Sequence, residues 1–136
     1  MNRRSVLLAA PALLVAAAAR ADDRTFYTPG LAESAMAAGK VVVLDFWASW
    51  CSTCAAQERV IAALMDETPA YRTAITLIVV DWDAHGDGDL SRSLKIPRRS
   101  TLVALKGNQE IGRIVAGTGT AEIKALLDAA LAAAKG

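Results

Sequence analysis

Aromatic side chains are scarce in this 136-residue sequence: three Trp, two Tyr and two Phe make up 5% of it, against 54% hydrophobic residues overall. That length suits a single domain, and its core has to be built from small and branched aliphatic side chains. Cysteine occurs only as Cys51 and Cys54, which leaves none for a separate disulfide framework or a four-ligand zinc site. The formal net charge of +1 provides no basic field for nucleic acid. The one histidine, His85, lies in a turn-rich acidic stretch and is given no catalytic part.

The longest leading apolar segment, Val6 to Ala19, falls short of the roughly 20 residues that span a bilayer, and Pro11 interrupts it. Arg3 and Arg4 precede it, and Ala19-Arg20-Ala21 follows as a small-x-small cleavage pattern. Residues 1–21 therefore read as a secretory signal peptide cleaved after Ala21, with a retained anchor as the alternative. The paired arginines fit both twin-arginine export and an ordinary positive n-region, and both routes stay open. Cleavage removes three arginines and no acids, so residues 22–136 carry twelve basic and fourteen acidic side chains, a net −2. The expected location is an oxidising compartment, most simply a bacterial periplasm.

Residues 22–136 read as alternating strands and helices. A short edge strand is expected around Thr25-Phe26-Tyr27, then a helix from Leu31 to Ala38 opened by Pro29-Gly30 and ended by Gly39. Val41 to Trp47 is a buried strand, followed by a helix to about Glu67 that Pro69 stops. Ile75 to Trp82, rich in β-branched residues, is a second buried strand, and this order implies parallel pairing. Asp83 to Asp89 reads as a loop and Leu90 to Lys95 as a short helix. Two strands, Thr101–Leu105 and Glu110–Val115, are joined as an antiparallel hairpin by Lys106-Gly107-Asn108-Gln109. Thr120 is expected to cap a last helix, whose stripe Ile123, Leu126, Leu127, Ala130 and Leu131 faces the sheet.

The chemistry concentrates where the first buried strand empties into its helix, at Leu44-Asp45-Phe46-Trp47-Ala48-Ser49-Trp50-Cys51-Ser52-Thr53-Cys54. Two cysteines three apart at a helix start share one turn and can bond to each other. Unpaired N–H groups and the helix dipole favour a thiolate at the first of them. A structural disulfide there would close a tiny loop and stabilise little, so redox chemistry is the stronger reading. Asp45 stands inside an apolar run, where an acid is rare. The stretch Asp81-x-Asp83-x-His85-Gly86 imitates the start of a calcium loop, but Arg92 occupies the place of the bidentate glutamate, and a solvated acidic loop is the reading adopted.

This order, with Trp-Cys-x-x-Cys at the strand–helix junction, resembles the thioredoxin family over nearly all of residues 22–136. Thr101-Leu102-Val103 with Lys106-Gly107 is similar to the family's next most specific segment. The resemblance implies an α/β, three-layer thioredoxin-like fold, a mixed central sheet with helices on both faces, and thiol–disulfide exchange through a Cys51–Cys54 redox disulfide. By position, Cys51 resembles the attacking cysteine, Cys54 the resolving one, and Asp45 the buried carboxylate that relays a proton. Trp47 and Trp50 would wall the site, and Arg99, Ser100 and Thr101 would line its substrate side, with Arg98 beside them. The family's cis-proline position falls on Ser100. A cis bond before serine costs about 3–4 kcal/mol, so Arg99–Ser100 is expected to be trans, with a register slip making Ile96–Pro97 cis as the alternative. Val79 stands where a buried lysine often faces the aspartate, so Asp45 is expected to lack a cation. Ser52 and Thr53 are expected to donate hydrogen bonds to the Cys51 sulfur, setting an intermediate potential.

Implied partners are protein disulfides and a membrane or soluble thiol electron donor; no cofactor and no metal are implied, and a monomer is expected. The competing reading is a non-catalytic module that holds a client protein or a soft metal at the cysteine pair.

Overall fold

A computed structural model describes residues 24–136; the expected signal peptide lies outside the described residues. The elements run α1 (Leu31–Ala37), β1 (Val41–Trp47), α2 (Ser52–Glu67), α3 (Ala70–Ala74), β2 (Thr76–Asp81), α4 (Trp82–His85), α5 (Asp89–Ser93), β3 (Thr101–Lys106), β4 (Gln109–Val115) and α6 (Thr120–Ala134). The four strands form one mixed sheet in the order β2-β1-β3-β4, with β1 and β2 parallel and the β1–β3 and β3–β4 pairs antiparallel. The expected edge strand reduces to one parallel bridge, Phe26 to Val79, held by Tyr27 N–H to Val79 O (2.7 Å) and Val79 N–H to Thr25 O (2.8 Å).

Strand alternation divides the core into two layers. Val41 and Val43 of β1, with Leu102 and Ala104 of β3, meet Ile61, Leu64 and Met65 of α2 and Ile123, Leu126, Leu127 and Ala130 of α6. Val42, Leu44 and Phe46, with Val103 and Leu105, meet Ala32 of α1, Tyr27, Ile78, Val80 and Leu90 on the opposite face. The expected α6 stripe faces the sheet; burying each such Leu or Ile contributes about 1.5–3 kcal/mol. Asp45 has the parity of Val41 and Val43, so it continues the α2 face of β1 rather than facing solvent.

Helix ends follow local chemistry with two differences from expectation. Gly30 (φ +95°) enters α1 and Gly39 (φ +75°) leaves it, both in a backbone region that glycine adopts without Cβ strain. The N-cap of α6 is Gly119 rather than Thr120, and Glu122 replaces a side-chain cap by accepting from the Gly119 N–H at 3.2 Å. Trp82, expected to end the second strand, and residues 83–85, expected in a loop, make the single turn α4, because the Asp81 carboxylate accepts from Asp83 N–H at 3.0 Å. Helix α3 was not expected; its fully buried Tyr71 donates to Asp128 of α6 and ties the two helices together.

Candidate active site

The C-terminal end of β1 delivers Ala48 and the Trp50–Cys51 turn to the start of α2, and Cys51 is that helix's N-cap. Its Sγ accepts from the Cys54 backbone N–H at 3.1 Å, so a sulfur does what a serine or aspartate oxygen does at other helix starts. The Cys51 and Cys54 Cα atoms are 5.2 Å apart and the two residues are joined by a disulfide. Cys51 is the outer member, 5% exposed, whereas Cys54 is fully enclosed with its Sγ 4.0 Å from the Phe46 carbonyl.

Asp45 lies in register with Val79 on β2 and Leu102 on β3, and is 2% exposed. Burial is the main cause that pushes its carboxyl from 3.8 up to about 7; the Glu58 charge adds to the rise and Arg24 opposes it. The expectation of a missing cation is thus right for β2 and wrong for the site. Arg24 supplies positive charge from the segment before the bridge, where no sheet pattern points to it. Its Nη1 pairs with Glu58 Oε1 at 3.1 Å, and its guanidinium lies over the rings of Trp47 (4.8 Å) and Phe26 (5.1 Å).

The two tryptophans take different stations. Trp47 is half-buried, edge-on to Phe26 at 5.7 Å, and packs against the Ala48–Cys51–Cys54 cluster from below. Trp50 is 59% exposed, yet held: its Nε1 donates to both Asp83 carboxylate oxygens (3.1 and 2.9 Å), and the Arg99 guanidinium stacks on its ring at 4.3 Å. The acidic stretch therefore serves Trp50 and the α4 cap. Among the described residues, no group of three or more His, Cys, Asp or Glu side chains is arranged to hold a metal ion.

Ser100 departs furthest from the family pattern. No peptide bond among the described residues is cis, so Arg99–Ser100 is trans and the Ile96–Pro97 alternative is set aside. Ser100 instead has φ +63°, a conformation proline cannot reach, and it is fully buried. Its N–H donates to Phe46 O (2.7 Å), and its carbonyl accepts from Ala116 N–H (2.8 Å) and Gln57 Nε2 (2.9 Å). Its Oγ stands 3.1 Å from Cys51 Sγ and 3.2 Å from Cys54 Sγ. The hydroxyl at the sulfurs is thus Ser100's, where Ser52 and Thr53 were expected to provide it. Thr101 turns inward, fully buried, donating through Oγ1 to Arg98 O at 2.7 Å. Gln57, absent from the sequence expectations, is fully buried on α2 and clamps the Ser100 carbonyl to the Gly117 carbonyl, each 2.9 Å from its Nε2.

This site belongs to a recognisable set of proteins. The Thioredoxin family model matches residues 28–129. The thioredoxin of Coprinus comatus is 30% identical over 94 residues, 69% of this chain and 84% of that protein. A thioredoxin of Mycobacterium tuberculosis is 29% identical over 92 residues, 68% of this chain and 75% of its own. Among solved structures, Malassezia sympodialis thioredoxin superposes with a TM-score of 0.68 at 26% identity, covering 79% of this chain and 92% of that one. The Edwardsiella tarda protein Trxlp gives 0.63 at 28% identity, covering 74% and 94%. The mixed sheet, the disulfide at the mouth of β1 and these matches agree: the chain belongs to the thioredoxin family of thiol–disulfide oxidoreductases.

Proposed function

We propose that the chain reduces protein disulfides, or relays electrons to them, outside the cytoplasm, with Cys51 as nucleophile and Cys54 as resolving thiol. The observation that carries this reading is the asymmetry of the pair: one sulfur at the rim on a helix N-cap, the other sealed beneath it. In the dithiol form the Cys51 thiolate attacks a substrate disulfide, forming a mixed disulfide and releasing one substrate thiolate, which takes a proton from solvent. Cys54 then loses its proton and attacks Cys51 Sγ. The Cys51–Cys54 bond forms, the bond to substrate breaks, and the two electrons have passed to the substrate.

Asp45 is the proton acceptor in that second step, since its carboxyl, pushed up to about 7, exchanges protons near neutrality. The ring of Trp50, fixed by Asp83 and Arg99, offers a flat apolar face to a docked polypeptide beside Cys51. The leader expected at residues 1–21 supports export to a periplasm, where a membrane or soluble thiol donor would have to restore the dithiol. The domain acts as a monomer in this reading.

The test is turnover of a protein disulfide such as insulin by residues 22–136 with a thiol reductant. Catalysis by the parent protein and its loss in Cys51→Ser is the expected result. A rate unchanged by Cys51→Ser overturns the reading; binding of the client without turnover points to the holding module instead.

A further inference from the structure

In the disulfide neither sulfur carries a proton, so at 3.1 and 3.2 Å the Ser100 Oγ–H is the donor and the sulfurs are the acceptors. We propose that Ser100 is a catalytic residue of the pair, one hydroxyl that touches both reacting sulfurs and steers the reduced site to a Cys51 thiolate and a Cys54 thiol. This inference rests on the redox reading above and adds a component to it.

The reduced site has two proton carriers and three atoms to satisfy. Ser100 can donate its one proton to a thiolate while a lone pair accepts the S–H of the other cysteine. That gives a chain Cys54 S–H to Ser100 Oγ–H to Cys51 S⁻ in which every donor meets an acceptor. The chain could run the other way, and the surroundings choose its direction. The Cys54 backbone N–H donates to Cys51 Sγ at 3.1 Å, and the α2 N-terminus adds positive potential there. On the other side, Cys54 Sγ faces the Phe46 carbonyl at 4.0 Å, which repels a thiolate and suits a thiol. Cys54 is also sealed from water, and burial disfavours the charged form.

The placement is built. Three contacts fix the Ser100 backbone, its N–H on Phe46 O and its carbonyl under Ala116 N–H and Gln57 Nε2, and the neighbouring Thr101 hydroxyl on Arg98 O ties the loop beside it. The Phe46 carbonyl that accepts from Ser100 N–H is the same one that faces Cys54, so Ser100 touches the resolving sulfur through Oγ and holds the carbonyl opposite it through N–H. A charge-assisted hydrogen bond is stronger than one to a neutral disulfide sulfur, so the hydroxyl favours the dithiol over the disulfide.

Ser100→Ala and Ser100→Gly separate this role from loop shape, because both delete the hydroxyl but only glycine relieves φ +63°. Two readouts on residues 22–136 apply. One is the pH titration of thiolate absorbance in the reduced protein. The other is the equilibrium protein disulfide + 2 glutathione ⇌ protein dithiol + glutathione disulfide. In both variants the Cys51 thiol should hold its proton about tenfold more tightly, ionising at higher pH. The equilibrium should move toward the disulfide by a similar factor, about 30 mV in potential. Both quantities unchanged in either variant, or a shift in only one variant, overturns the proposal. If the shifts appear but the parent protein turns over no protein disulfide, the functional reading fails while the assignment of Ser100 stands.

Discussion

Asp45→Asn should stabilise the oxidised protein, and only where the parent carboxyl is ionised or ionisable in the unfolded chain. An aspartate that titrates near 3.8 when exposed and near 7 when folded holds its proton about three powers of ten more tightly in the native state. Each tenfold step is worth about 1.4 kcal/mol, so the full penalty is about 4 kcal/mol. The sign follows from proton counting: below pH 4 both states carry the proton and nothing is lost. Between pH 4 and 7 the unfolded state ionises first, so parent stability falls as pH rises, and above 7 the loss levels off. The asparagine variant lacks this group and shares all the others, so subtracting the two proteins' urea stabilities isolates it. Tryptophan fluorescence is a suitable probe, and the difference should climb from near its acid value to about 4 kcal/mol higher by pH 8, or about 15–20 °C in Tm for a domain of this size. A difference that stays flat from pH 4 to 9, or that shrinks with pH, would refute the claim that burial dominates over the nearby Arg24.

Ser100→Pro, which restores the family residue, should destabilise this protein rather than improve it. Proline cannot adopt φ +63° and leaves the buried Phe46 carbonyl without its 2.7 Å donor, a loss of about 1–3 kcal/mol before any backbone strain, measured by the same urea curves. The release of substrate from the mixed disulfide should quicken as pH rises through about 7 and lose that dependence in Asp45→Asn; rapid-quench kinetics of a labelled peptide disulfide reads both.

Much of the fold is legible in residue order because its signals are long. Val41 to Trp47 is an uninterrupted apolar strand except for Asp45, and period-two counting puts that acid on the same face as Val41 and Val43, the one that α2 and α6 cover. The α6 stripe and the hairpin follow the same kind of periodicity, though the β3–β4 pairing closes on a tighter turn, with Lys106 opposite Gln109. The five- and four-residue helices α3 and α4 are too short for a helical period to register, and the strand expected around Phe26 shortens to a single bridge.

The site divides along the same line. The cysteine pair and its aspartate are local to one segment. Arg24 reaches it from a distant part of the chain that no pattern marks; Ser100, equally distant, is placed there by the family resemblance, and only the folded chain shows its hydroxyl against both sulfurs. No glycine marks the positive φ at Ser100, since a serine held by its N–H and its carbonyl is constrained by partners that sequence order does not reveal. Gln57 did carry a signal. It stands three residues after Cys54 and four before Ile61, on the buried stripe of α2, and a polar side chain there requires buried partners.

The central claim is tested most directly by removing the resolving thiol. Cys54→Ser, offered a peptide disulfide and analysed by intact mass and peptide mapping, should accumulate one stable mixed disulfide on Cys51. The matched Cys51→Ser protein, whose remaining thiol is sealed, should form none. Failure of Cys51 to form the adduct, or an adduct forming as readily on Cys54, would contradict the division of labour between an outer attacking sulfur and an inner resolving one.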